Sequence, residues 1–191
     1  MKMIIRNLSK RIHIRKFSSM HSGSLSVSKK GNDVYMLPPA GVEHKHTLIF
    51  MHGLGDCADS FIPVFKDQGM SPFPLSTKVI ILNAPKMKVT VNFGMEMNSW
   101  YDVKGVGSDL KDKYSREDVL KNAERVHNVM HQEIEEGLKG DAKKMWIGGF
   151  SQGGCMALHV GLAYPKTIGG IIACSCALFD ISKAENEAEK K

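Results

Sequence analysis

The sequence has no CxxC pair, no membrane-length run free of glycine and polar residues, and no acid in its first 30 positions. Each lack excludes something. The four cysteines, Cys57, Cys155, Cys174 and Cys176, have no His partner at ligand spacing, so neither zinc nor a redox motif is indicated. Three of them lie in apolar stretches, where a free thiol behaves as a small hydrophobe. No disulfide is expected. Residues 145–165 lack Lys, Arg, Asp and Glu, which formally meets the length of a membrane span. Gly148, Gly149, Ser151, Gln152, Gly153, Gly154, His159 and Gly161 break that window into a strand, a turn and a helix instead. The net charge of +6 carries no hint of nucleic acid. Residues 1–17 hold six of the 26 bases and no acid, which leaves the rest of the chain neutral, and no basic cluster in it would grip phosphates.

What is present describes an ordinary soluble globular chain: 191 residues, 42% hydrophobic and 24% charged, about the size of one domain. Residues 1–30 read as a transit peptide or disordered leader. They carry eight Lys and Arg and seven Ser, the acid-poor amphipathic composition of an organellar address. Arg15-Lys16-Phe17-Ser18-Ser19 resembles a matrix-protease site cut after Phe17, which gives a mitochondrial expectation. A start at Met20 would make the protein cytoplasmic. Residues 31–181 form the expected domain, and 182–191, with six charges in ten, a solvated tail.

Inside the domain, Thr47–Met51, Val79–Leu82, Met145–Phe150 and Ile168–Cys176 are apolar without alternation, as parallel strands covered on both faces must be. Ser115 and Asp118 open a helix over 116–138. Val119, Leu120, Ala123, Val126, Met130, Ile134 and Leu138 trace its inner stripe. His127 and His131, one turn apart on it, read as a solvated face rather than metal ligands. A second helix over about 153–163 stops before Pro165. The alternation predicts an α/β fold with a mostly parallel sheet.

Gly149-Phe150-Ser151-Gln152-Gly153 is G-x-S-x-G between an apolar strand and a helix, the setting of a nucleophile elbow. The flanking glycines leave room for a strained turn that projects the hydroxyl. The blander reading is a Gly-rich turn with an incidental serine. Met51-His52-Gly53-Leu54-Gly55-Asp56 follows another apolar strand, where acyl-transfer enzymes of such folds place a second oxyanion donor. The backbone N–H groups of Leu54 and Gln152 are the natural pair. His52 is read as orienting that loop, not as a base.

With these motifs, the sequence resembles the acyl-protein thioesterase (lysophospholipase-like carboxylesterase) family. The resemblance rests on Thr47–Asp56, Ile81–Pro85, Val89–Asp102, Gly148–Ala157 and Gly169–Ser175. It implies an α/β-hydrolase fold and hydrolysis of acyl thioesters or esters, with S-acylated proteins or small acyl esters and lysolipids as substrates. It implies Ser151 as nucleophile, Leu54 and Gln152 as oxyanion donors, and no metal or organic cofactor. The Val89–Trp100 stretch would line an acyl channel or else pack the core.

A serine needs a base held by a third group, in the chain order Ser, acid, His. After Ser151 stand only Asp180, Glu185, Glu187, Glu189 and His159. His159 lies two turns along the helix, about 12 Å away at 1.5 Å per residue, so it is not the base. The family's acid and histidine match no position here. The expectation is therefore a C-terminally incomplete hydrolase fold, weak or inactive as a catalyst. The alternative is a non-catalytic acyl-binding or interaction protein built on the same pocket.

Overall fold

A computed structural model of the chain describes residues 23–66, 73–105 and 113–176. Most of the expected leader, the tail at 182–191 and the four acids after Ser151 lie outside the described residues. In chain order the elements are β1 (Ser26–Lys30), β2 (Asp33–Leu37), β3 (His46–Met51), α1 (Ile62–Lys66), β4 (Thr77–Leu82), β5 (Lys86–Val89), β6 (Met95–Asn98), α2 (Arg116–Gln132), β7 (Met145–Phe150), α3 (Gln152–Ala163) and β8 (Gly170–Cys174). Six strands form one sheet in the order β1-β2-β4-β3-β7-β8, and β5 and β6 form a separate hairpin. β3 pairs in parallel with β4 and β7, and β7 with β8; β1 and β2 join antiparallel. This is the mostly parallel α/β sheet that the apolar runs predict.

The runs are apolar throughout because alternate residues feed two cores. Ile49, Met51, Ile80, Leu82 and Ile147 pack with α2 and α3. Leu48, Phe50, Val79 and Ile81 pack on the opposite face, with Phe65 and the partly buried Phe61. A central strand buried on both faces has no polar position to spare.

Three boundaries differ from the sequence reading. Leu25 is buried and Ser26–Lys30 is outermost on its side of the sheet among the described strands, so the folded unit begins before residue 31. The acid-poor composition of 1–30 hides this, because an exposed edge strand can be as basic and serine-rich as a leader. α2 starts as expected, with the Ser115 side chain accepting from the Asp118 N–H at 3.3 Å. It gives way after Gln132 to a wide π-type turn over Glu133–Gly137, with the Leu138 N–H bonded to Glu133 O at 3.0 Å. The cause is Glu133, whose carboxylate points inward to Thr47 Oγ1 at 2.9 Å and Lys78 Nζ at 2.6 Å. Leu120, placed on the inner stripe from spacing, faces out at 49% exposure. Finally, β8 is shorter than 168–176 and outermost among the described strands, with Ala173 and Cys174 exposed.

His127 is not on a solvated face. Its Nε2 lies 2.9 Å from Val160 O on α3 and its ring lies tilted against that of Tyr164, centroids 5.4 Å apart, whereas His131 is exposed. Among the described residues, no helix is long and apolar enough to cross a membrane.

Candidate active site

Ser151 stands at the turn between β7 and α3 with φ 52° and ψ −118°. An L-residue rarely adopts this conformation and keeps it only when neighbours fix it. Two main-chain bonds do so: Ser151 N–H donates to Cys174 O at 2.9 Å, and Cys155 N–H donates to Ser151 O at 3.1 Å. The side chain makes no capping bond to α3 and is half-exposed. The glycines of the motif are dictated by contact. A Cβ on Gly149 would lie 2.1 Å from Gly153 O, and one on Gly153 would lie 2.2 Å from Met51 O. α3 therefore abuts the end of β3 with nothing between them but backbone.

That contact brings the 52–56 loop to the elbow. A Cβ on Gly53 would sit 3.4 Å from Ser151 Cβ. The loop is pinned from outside as well. Gly55 N–H donates to Asn98 O at 2.8 Å, Asn98 Nδ2 donates to Asp56 O at 2.7 Å, and Trp100 Nε1 donates to His52 O at 2.9 Å. His52 is fully buried, and its Nε2 accepts from Ala84 N–H at 3.0 Å. The ring's own proton is then on Nδ1, which donates to Gly53 O at 2.7 Å. Burial holds its pKa below the ordinary value. Both ring nitrogens are thus engaged, one within its own loop and the other by Ala84 in the segment after β4.

Gln152 has two faces. Its backbone opens α3, where N–H groups have no carbonyl of their own helix to meet. Its side chain is buried, with Oε1 accepting from Trp100 N–H at 2.9 Å and Nε2 donating to Tyr101 O at 2.8 Å and Ser99 Oγ at 2.9 Å. Asn122 Nδ2, from α2, donates to Trp100 O at 2.7 Å and holds the far side of that segment.

Ser151, Leu54 and Gln152 line one open cavity of about 510 Å³, which Tyr101, Val103, Tyr114, Cys155 and Cys176 complete with mostly apolar surface. Its size is that of a small-molecule site. Burial pushes the Tyr101 phenol far above its ordinary pKa, so it stays protonated. The Val89–Trp100 stretch is absent from the described wall of this cavity. Val89 and Trp100 are buried, while Phe93 and Met95 at the hairpin tip are 97% and 57% exposed. The stretch instead buttresses the loop through Asn98 and Trp100. Tyr101, Val103, Tyr114 and the two thiols escaped the sequence reading, because nothing in their spacing marks them. The nearest signal is Asn98-Ser99, two polar residues beside a tryptophan. No histidine or carboxylate is among the described residues that line the cavity. His159 sits on α3, with its pKa lowered chiefly by burial.

Comparison with known proteins agrees with this architecture. Acyl-protein thioesterase 1 of Schizosaccharomyces pombe is 39% identical over 152 residues, covering 78% of this chain and 62% of that protein. Its counterpart in Gibberella zeae is 35% identical over 140 residues, covering 72% and 59%. The chain thus spans roughly three fifths of the length of these curated relatives. Among solved structures, Arabidopsis thaliana SOBER1 superposes with a TM-score of 0.64 at 31% identity, over 74% of this chain and 66% of that one. Zea mays acyl-protein thioesterase 2 gives the same TM-score at 23% identity, a likeness of fold. The phospholipase/carboxylesterase model matches residues 35–191, and the chain belongs to that family of α/β hydrolases.

Proposed function

We propose that the cavity takes the acyl part of a thioester or carboxylic ester, that Ser151 is the nucleophile, and that the N–H groups of Leu54 and Gln152 receive the oxyanion. The observation that carries this reading is the strained, half-exposed Ser151 facing a cavity that both donor residues also line. A hydroxyl in that place can reach an acyl carbon, and the open end of α3 favours the developing negative charge. The apolar wall suits a hydrocarbon chain more than a sugar or nucleotide. The thioesterase names of the relatives favour S-acylated proteins as substrates, with lysolipids as the alternative ester class.

The rate depends on a base. Losing the histidine of a Ser–His unit costs on the order of 10⁶ in kcat, about 8 kcal/mol of transition-state stabilisation. Oxyanion donors alone retain roughly 10³–10⁴-fold acceleration over water. The second reading is acyl binding without turnover in the same apolar cavity. Fluorophosphonate labelling separates the two. Labelling that disappears in Ser151→Ala supports the hydrolase. Absence of labelling together with saturable binding of a fluorescent fatty acid supports the binder, and absence of both sinks the reading.

A further inference from the structure

The nucleophile and its donors leave two groups of the cavity wall unused: the thiols of Cys155 and Cys176. Cys155 lies on the first turn of α3, one turn beyond Ser151, and Cys176 follows the end of β8. They come from different elements, yet their side chains approach each other on the wall of one cavity. Gly154 makes this approach feasible. A Cβ there would lie 2.9 Å from Cys176 Cβ and 3.0 Å from its Sγ, so Cys176 rests directly on the backbone next to Cys155. Both thiols are free, half-buried and open to the cavity. Cys174 is also free, but its side chain is exposed at the strand end and does not line the cavity.

We infer that Cys155 and Cys176 are a covalent modification site: a dithiol that low-molecular-weight disulfides such as glutathione disulfide convert to an intramolecular disulfide in the wall of the Ser151 cavity. The chemistry balances in two exchanges. One thiol gives its proton to solvent and attacks a sulfur of glutathione disulfide, forming a mixed disulfide and releasing one glutathione. The second thiol, on the same cavity wall, attacks the protein sulfur of that mixed disulfide and releases the other glutathione. Two protein thiols are oxidised to one S–S bond, and one glutathione disulfide is reduced to two glutathiones. Burial raises the pKa of the Cys176 thiol, so thiolate character does not drive the first exchange. Selectivity comes from the second, which is intramolecular and leaves the mixed disulfide no time to accumulate. The crosslink ties the end of β8, whose Cys174 carbonyl receives the Ser151 N–H, to the first turn of α3.

The test is made on the full chain, incubated with glutathione disulfide, quenched with N-ethylmaleimide and digested without reduction for mass spectrometry. The expected product is a peptide pair joined through Cys155 and Cys176, two hydrogens lighter than the reduced pair and released by dithiothreitol. In Cys155→Ala, Cys176 should instead keep one glutathione, with at least a tenfold rise in the mixed disulfide over the parent chain. In Cys174→Ala the crosslink should form unchanged, a comparison that stands even if Cys155→Ala folds poorly. Crosslinks through Cys174, stable glutathione adducts on the unmutated pair, or two inert thiols would each overturn the assignment.

Discussion

Substituting Gly153 by alanine puts the closest contact of the site under direct test. The added methyl would stand 2.2 Å from Met51 O and 2.5 Å from His52 O, both backbone atoms at the buried end of β3. Neither can swing aside as a side-chain tip could, so α3 must retreat from the sheet or the loop must shift. Overpacking typically costs about 1–3 kcal/mol. Contact with fixed backbone places this change near 3 kcal/mol, a drop of roughly 150-fold in the ratio of folded to unfolded chain. With an m-value of about 2 kcal/mol/M, the urea midpoint should fall by about 1.5 M. Gly53→Ala is the matched control. Its methyl would make ordinary contact at 3.4 Å with Phe150 and Ser151, and its midpoint should move by less than about 0.5 M. Equal midpoints for the two variants would refute the claim that helix and strand meet backbone to backbone.

Other expectations follow from the same contacts. Ser151→Gly should abolish fluorophosphonate labelling yet raise stability by about 1 kcal/mol. Relief of strain worth roughly 1–3 kcal/mol exceeds the entropic cost of glycine, about 0.5–1 kcal/mol; a lower urea midpoint would contradict this. Lys78→Met removes the cation 2.6 Å from the buried Glu133 carboxylate and should destabilise by about 3–5 kcal/mol. Adding Glu133→Gln should recover much of that loss if the orphaned charge is the cause. Burial lowers the pKa of His52 below its ordinary 6.5, so below that pH the unfolded chain binds more protons than the folded one. Stability should therefore fall as pH drops from 6.5 toward 5, by up to about 1.4 kcal/mol per pH unit from this group. His52→Gln should flatten that profile in urea titrations at successive pH values.

The parallel sheet and the elbow were legible because local chemistry dictates them. Runs such as Thr47–Met51 have no polar position, and Gly149 and Gly153 flank a serine at the junction of a strand and a helix. The edge strand at Ser26–Lys30 was not legible, since its pairing with Asp33–Leu37 leaves its side chains in solvent. The π-type turn was equally hidden. Glu133 occupies a helical position in sequence, and its burial depends on Lys78 and Thr47 more than 50 positions away. The role of Val89–Trp100 stayed open between channel and core because apolar content alone does not say which surface a hairpin covers. Only the tertiary bonds of Asn98 and Trp100 reveal that it braces the loop at 52–56.

Those bonds explain why a costly conformation at position 151 persists. A strained serine relaxes unless the chain on either side is held, and here the two sides are held by different elements. The end of β8 receives its N–H, and the first turn of α3 donates to its carbonyl. The third restraint is the Gln152 side chain, whose amide is satisfied at both ends by Ser99, Trp100 and Tyr101. An apolar residue of similar size would fill the space but would leave the Trp100 N–H without its partner, a cost of about 1–3 kcal/mol, while the Tyr101 carbonyl would keep Ser99 Oγ at 2.7 Å. Replacing Gln152 by leucine therefore couples the elbow to the hairpin in a measurable way. Stability should drop by about 2 kcal/mol, and fluorophosphonate labelling of Ser151 should fall under native conditions where the chain is still folded by circular dichroism. Full labelling in a folded Gln152→Leu chain would show that the elbow keeps its shape without the hairpin, and that the buried amide serves packing alone.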